Sequence, residues 1–168
     1  MKEDFHVDLS IRLYEKGNTG IACVSSKNKK HTGCVLTYRL KQYIKNSLFV
    51  GNISEEKAKL YAICIYYLVE DYLEDINTLI ICNDEDFTYV KEYLIYLINL
   101  NKLNFEIINI TEFQKRLGRK VKSLADNYAK IYRKRGLQRN KWHIGKNLNL
   151  VELNYEMIKE KWEELNKI

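Results

Sequence analysis

Between Lys115 and Lys146 the chain carries twelve Lys and Arg residues, at positions 115, 116, 119, 120, 122, 130, 133, 134, 135, 139, 141 and 146, and one acid, Asp126. That stretch is +11 in a chain of formal net charge +6, so the remainder is −5. A basic field gathered in this way is the footprint of a polyanion partner, and a carboxylate inside it is held ionised. Such a carboxylate is what a divalent cation working on a phosphodiester needs. The competing reading is a solvated helix face whose Asp pairs with its neighbours.

Three further acids fall where a sheet and its helices could present them: Asp8 within the first apolar-polar alternation, Glu55 at a helix start, and Asp84 just after an apolar run. Four acids suit two Mg²⁺ or Mn²⁺ ions, which about 3.5–4 Å apart activate a water and stabilise the leaving oxygen of an in-line displacement. Each acid also has a plainer reading. Asp8 is on the polar side of its alternation and so could face solvent. Glu55, Asp84 and Asp86 sit at helix N-termini, where acids cap free N–H groups and favour the dipole. Glu55 continues the stripe of Ala58, Ala62, Ile65 and Val69, whereas Glu56 points elsewhere. Asp84 continues the facing of Ile80 and Cys82, while Asp86 fits a register read back from the following helix; Asp84 is preferred as the third acid.

The elements that would position these acids follow from periodicity. Phe5 to Tyr14 alternates, with Val7, Leu9, Ile11 and Leu13 on one side and His6, Asp8, Ser10 and Arg12 on the other, as in a strand. After the turn at 15–20, Ile21 to Ser26 and Thr32 to Tyr43 read as second and third strands of an antiparallel meander. Ser54-Glu55-Glu56 opens a helix ending near Leu73. Thr78 to Cys82 is a buried strand, Phe87 to Asn99 a helix and Phe105 to Ile110 a strand. A helical stretch from Thr111 carries the basic block, and Val151 to Ile168 forms an amphipathic helix with Val151, Tyr155, Ile158, Trp162 and Leu165 on one face. This order implies an α/β domain with one mixed five-stranded sheet, antiparallel over its first three strands and then parallel through βαβ units, flanked by helices. Residues 1–135 form that domain; 136–168 are a basic linker and a C-terminal helix packed on it.

At 168 residues and 46% hydrophobic composition the chain can bury one sizeable core. It contains no apolar run long enough to cross a bilayer, so no membrane partner is expected. Lys2, Glu3, Asp4, His6 and Asp8 interrupt any apolar leader, which points to the cytoplasm. Cys23, Cys34, Cys64 and Cys82 form no CxxC pair and read as buried free thiols.

In element order and acid placement the chain resembles ribonuclease H and the wider ribonuclease H-like superfamily over roughly residues 5–135. Asp8-Leu9-Ser10 looks like the family's Asp-Gly-Ser, and Gly17-Asn18-Thr19-Gly20 like its Gly-Asn-Pro-Gly turn. Asn52-Ile53-Ser54-Glu55 matches the asparagine three residues before the helix-opening glutamate. Leu79 to Asp84 resembles the strand that ends in the third acid, while Asp86-Phe87-Thr88-Tyr89-Val90 is similar to the Asp-Ser-x-Tyr-Val that continues it. Ala125-Asp126-Asn127-Tyr128-Ala129 looks like the last-helix signature. The family's catalytic-loop histidine has no counterpart, since only His6, His31 and His143 are present. Its basic helical insertion is missing between Asn99 and Phe105, and the block around Lys115 to Lys146 is expected to take its place.

The resemblance implies a metal-dependent nuclease with Asp8, Glu55, Asp84 (or Asp86) and Asp126 as catalytic and metal-holding residues for two Mg²⁺ or Mn²⁺ ions. RNA of an RNA–DNA hybrid is the favoured substrate. Arg119, Lys120, Lys122, Arg133, Lys134 and Arg135 would hold phosphates, and Asn18 and Asn52 would sense a 2′-hydroxyl. Two alternatives are a nucleic-acid-binding module without chemistry and an assembly subunit forming a homodimer or larger complex through its last helix.

Overall fold

The computed structural model describes residues 1–99, 104–137 and 148–168. Five strands, β1 (Glu3–Leu9), β2 (Thr19–Ser25), β3 (His31–Leu36), β4 (Ile76–Ile81) and β5 (Glu106–Asn109), form one sheet in the order β3-β2-β1-β4-β5. β1–β2 and β2–β3 are antiparallel, whereas β1–β4 and β4–β5 are parallel. The chain is therefore α/β with a mixed sheet. Six α-helices flank it among the described residues: α1 (Tyr38–Leu48), α2 (Ile53–Val69), α3 (Phe87–Ile98), α4 (Ile110–Leu117), α5 (Asp126–Arg135) and α6 (Tyr155–Leu165). None of the described helices is long and apolar enough to cross a membrane.

The alternation along each strand divides the molecule into two layers. Phe5, Val7, Leu9, Ile21 and Cys23 join α2, α3 and α6 in the larger core. Ala22 and Val24, pointing the other way, meet Ala125, Ala129 and Tyr132 of α5. β2 is consequently buried at every position. α5 can lie this close because the sheet offers no side chain at two points. A Cβ at Gly20 would overlap Ala129 O and Arg133 N, and one at Gly33 would overlap the Tyr132 ring.

Several boundaries depart from the periodicity: α2 stops at Val69 and α6 starts at Tyr155, and three further departures have a local cause. The third strand stops at Leu36, because Thr37 turns the chain and its hydroxyl accepts from Leu40 N–H as the cap of α1. β1 ends at Leu9 rather than Tyr14; the segment beyond it is tied down by its own polar contacts, with Ser10 N–H donating to Gly20 O (2.9 Å) and Lys41 Nζ to Glu15 O (3.1 Å). Among the described residues the basic stretch carries two helices, not one, since Gly118 takes a left-handed φ of 68° and ends α4. Asp86 acts as the helix cap expected of it, accepting from Thr88 N–H, whereas α2 is capped by Asn52, which accepts from Ser54 N–H and Glu55 N–H, rather than by the expected Ser54-Glu55-Glu56.

The last segment belongs to the same body. Gly33 N–H donates to Asn149 O (3.2 Å) and Val151 N–H to Gly33 O (2.8 Å), so the chain runs parallel to β3 and covers that edge. The Tyr132 hydroxyl meets Asn149 N (3.0 Å) and His31 Nδ1 (2.7 Å) beneath it. Ile158, Trp162 and Leu165 of α6 are then buried in the larger core, with Trp162 stacked on Phe49 at 5.5 Å. The apolar face expected to pack at home or on a second chain is thus covered within this chain. Most of the basic linker, residues 138–147 with Arg139, Lys141, His143 and Lys146, lies outside the described residues.

Candidate metal centre

β1 and β4 run side by side in the same direction, with Val7 paired to Ile81. Cys82 N–H donates to Val7 O (3.1 Å), which brings Cys82 level with Asp8, and Asp84 follows two residues on. Asp8, Cys82 and Asp84 each offer one ligand atom, and these three atoms lie within 4.8 Å of one another. The polar side of β1 is not solvated as its alternation suggests: Asp8 is only 8% exposed and His6 only 3%. α4 and α5 cover that face, with Phe113 packed edge-on against the His6 ring at 5.3 Å.

Burial sets the electrostatics. It pushes the Asp8 carboxyl up to about 6, a rise to which the charges of Asp84 and Asp126 add, while the Cys82 thiol and Leu9 N–H oppose it. Asp8 thus lies in the field of two other acids. One of its oxygens accepts from Leu9 N–H (2.8 Å), and no Lys or Arg pairs with it among the described residues. Burial likewise drives the Cys82 thiol well above its ordinary value, and Asp8 and Asp84 push it further. The hydroxyl of fully buried Tyr61, on α2, stands 3.0 Å from Cys82 Sγ.

Asp84 has one cationic neighbour, Arg12 Nε at 4.0 Å. Its neighbour Glu85 is buried, which raises its carboxyl above the ordinary value. Asp126 is the first residue of α5, where the helix dipole favours an acid, and pairs with Lys130 at 3.3 Å. The plainer reading of Asp126 therefore has its contact as well.

The remaining expected acids stand differently. Glu55 is outside the three-residue group and accepts a 2.6 Å hydrogen bond from the Tyr93 hydroxyl. Glu56 is buried and pairs with Lys59 at 3.1 Å, a structural contact between turns of α2. Asp86 caps α3 with its carboxylate on Thr88 N–H. Asn18 accepts from Tyr38 N–H, and Asn52 caps α2, so both amides hold helix starts. Arg119, Lys120 and Lys122 are exposed between α4 and α5, as are Lys134 and Arg135 at the end of α5. Arg133 is half-buried with its Nε buried and unpartnered among the described residues. Arg116 is occupied by Glu106 and Glu112.

Cys82, Tyr61, Arg12 and Tyr93 were not singled out as site residues by the sequence. Cys82 had a signal, its position two before Asp84, but only the parallel register sets it beside Asp8. Tyr61 reads as a packing residue and packs as one, while its hydroxyl reaches the site. Comparison of the chain with protein-family models, with curated proteins and with solved structures finds no match.

Proposed function

We propose that the protein is a metal-dependent nuclease of ribonuclease H-like type that hydrolyses phosphodiesters, with RNA of an RNA–DNA hybrid as the favoured substrate. The observation that carries this reading is the meeting of Asp8 and Asp84 at the ends of two parallel neighbouring strands, within the field of Asp126. A buried carboxylate with no cationic partner among the described residues, beside a second acid, suits a divalent ion. Such an ion would polarise the phosphate and lower the pKa of a bound water. Asp8 and Asp84 would hold it, and Asp126 would complete its charge from the start of α5. The sheet order and strand directions are compatible with the layout the resemblance implies. Arg119, Lys120 and Lys122 in the segment before α5, and Lys134 and Arg135 at its end, supply the exposed positive surface for the phosphate chain.

The test is cleavage of end-labelled RNA–DNA hybrid, duplex DNA and single strands with Mg²⁺, Mn²⁺ or EDTA, with Asp126→Asn beside the parent. Metal-dependent cutting lost in the variant supports the reading and names the substrate. A second reading, a nucleic-acid-binding or assembly module on the same fold, is favoured by one contact: Glu55 is bonded to Tyr93 instead of joining Asp8 and Asp84. Salt-dependent binding with no cutting under any metal would select it.

A further inference from the structure

We infer that Cys82 is the third protein ligand of the cation held by Asp8 and Asp84, so that this centre takes a thiophilic divalent ion of the zinc class in preference to Mg²⁺. The inference rests on the cation-binding part of the proposed function and not on the reaction.

Two features point to it. First, the ligand atoms of Asp8, Cys82 and Asp84 already lie within 4.8 Å of one another, and the thiol is level with Asp8 through the Val7–Ile81 register. Metal–oxygen and metal–sulfur bonds of about 2.0–2.3 Å bring such a set around one tetrahedral ion with small side-chain movements, leaving a position for water or substrate. Second, Asp8 is nine-tenths buried, has no cationic partner among the described residues, and faces this group. A carboxylate so placed is short of one positive charge, whereas Asp84 has Arg12 at 4.0 Å.

Which ion fits is decided by the donor set. Mg²⁺ takes oxygen ligands and keeps its waters, whereas thiolate selects Zn²⁺, Co²⁺ or Cd²⁺. On binding, the Cys82 S–H bond breaks, its proton leaves to bulk buffer, and the sulfur lone pair forms the metal–sulfur bond. The Tyr61 hydroxyl, 3.0 Å from Sγ and buried, donates to the thiolate that results and fixes its direction. It is a positioning residue of the kind that orients metal ligands from outside the coordination shell. Cys23, Cys34 and Cys64 are buried as Cys82 is but stand outside its group with Asp8 and Asp84, and serve as internal controls.

The full chain, stripped with chelator, is titrated with Co²⁺ while the thiolate-to-cobalt charge-transfer band is followed, and then challenged with Zn²⁺, Cd²⁺ and Mg²⁺. The expected result is a band at one equivalent that Zn²⁺ and Cd²⁺ erase, that excess Mg²⁺ does not, and that Asp8→Asn and Cys82→Ser lack. Tyr61→Phe should weaken Co²⁺ binding by the about 10–100-fold typical of an outer-shell partner. Because Cys82→Ser could fail to fold, alkylation of the parent protein, mapped by peptide mass, reads the same question: Cd²⁺ must protect Cys82. Mg²⁺ or Co²⁺ binding that is lost in Asp8→Asn but gives no charge-transfer band and no protection overturns the inference and leaves the proposed function standing. No divalent ion binding at all overturns both.

Discussion

The Tyr93 hydroxyl donates a 2.6 Å hydrogen bond to Glu55 Oε1, joining the start of α2 to the middle of α3. The phenol is held well above its ordinary range by burial and by this same carboxylate, so the proton stays on the tyrosine. Tyr93→Phe removes one bond to a charged acceptor and should cost about 1.5–3 kcal/mol in denaturant unfolding. An unchanged midpoint would mean that Glu55 has another partner ready.

Asp8 gives the apo protein a distinctive pH dependence. Its folded-state value of about 6 lies above the ordinary 3.8, so the folded chain holds this proton more tightly than the unfolded one. Its contribution to stability therefore falls as pH rises from about 4 to about 6 and stays low above that. Asp8→Asn should remove this fall and stabilise the metal-free protein at pH 7 by up to about 3 kcal/mol, while abolishing metal binding. Urea unfolding at several pH values in EDTA reads the slope; a variant as steep as the parent would assign it to another group.

A bound cation should reverse that cost. At about 100 times its dissociation constant, an ion that binds only the folded state adds about 2.7 kcal/mol and raises Tm. Mn²⁺ or Zn²⁺ should raise the Tm of the parent and leave those of Asp8→Asn and Asp84→Asn unmoved. Equal shifts in all three would place the ion elsewhere.

Gly20→Ala tests how α5 is held. The added methyl meets Ala129 O and Arg133 N, backbone that gives only if the helix lifts from β2. A loss of at least about 1–3 kcal/mol is expected, with loss of cleavage at temperatures where the variant is still folded, because Asp126 rides on the same helix. Gly118→Ala, whose methyl would meet nothing, is the control for an effect of backbone conformation alone.

Lys41 is buried and donates to Glu15 O (3.1 Å) and Thr19 Oγ1 (3.0 Å), fastening the loop that follows β1. Burial lowers it from 10.5 to about 8, with Glu15 pulling the other way. The unfolded chain binds this proton more tightly, so the lysine makes stability rise with pH between about 8 and 10.5. Lys41→Met should lose that rise, which thermal unfolding across this range would detect.

Much of the fold is legible from residue spacing because single-residue chemistry decides it. Asp86 just ahead of an apolar helical stripe caps that helix with its own side chain, and the apolar run at Thr78 to Cys82 is short enough for a buried strand. What spacing could not supply is the covering of a face. Asp8 and His6 alternate like solvent-facing residues, and only α4 and α5, far along the chain, bury them. Tyr38 to Tyr43 continues the apparent strand of Thr32 to Leu36, while one hydroxyl, on Thr37, is enough to start a helix there. For the site, Asp84 beside Asp8 follows from strands that end together, whereas Cys82 beside both depends on a register that no periodicity states.

The larger core is closed by a helix that comes last in the chain: Lys59 of α2 reaches Asn166 across 107 positions of sequence, with the Trp162 ring 4.9 Å beneath its ammonium. Until α6 arrives, the apolar flank of α2 has no lid, and bringing it there closes a loop that spans most of the molecule. Refolding should accordingly be slow for a chain of this size, and a chain in which Trp162 had not docked would leave that apolar flank of α2 exposed.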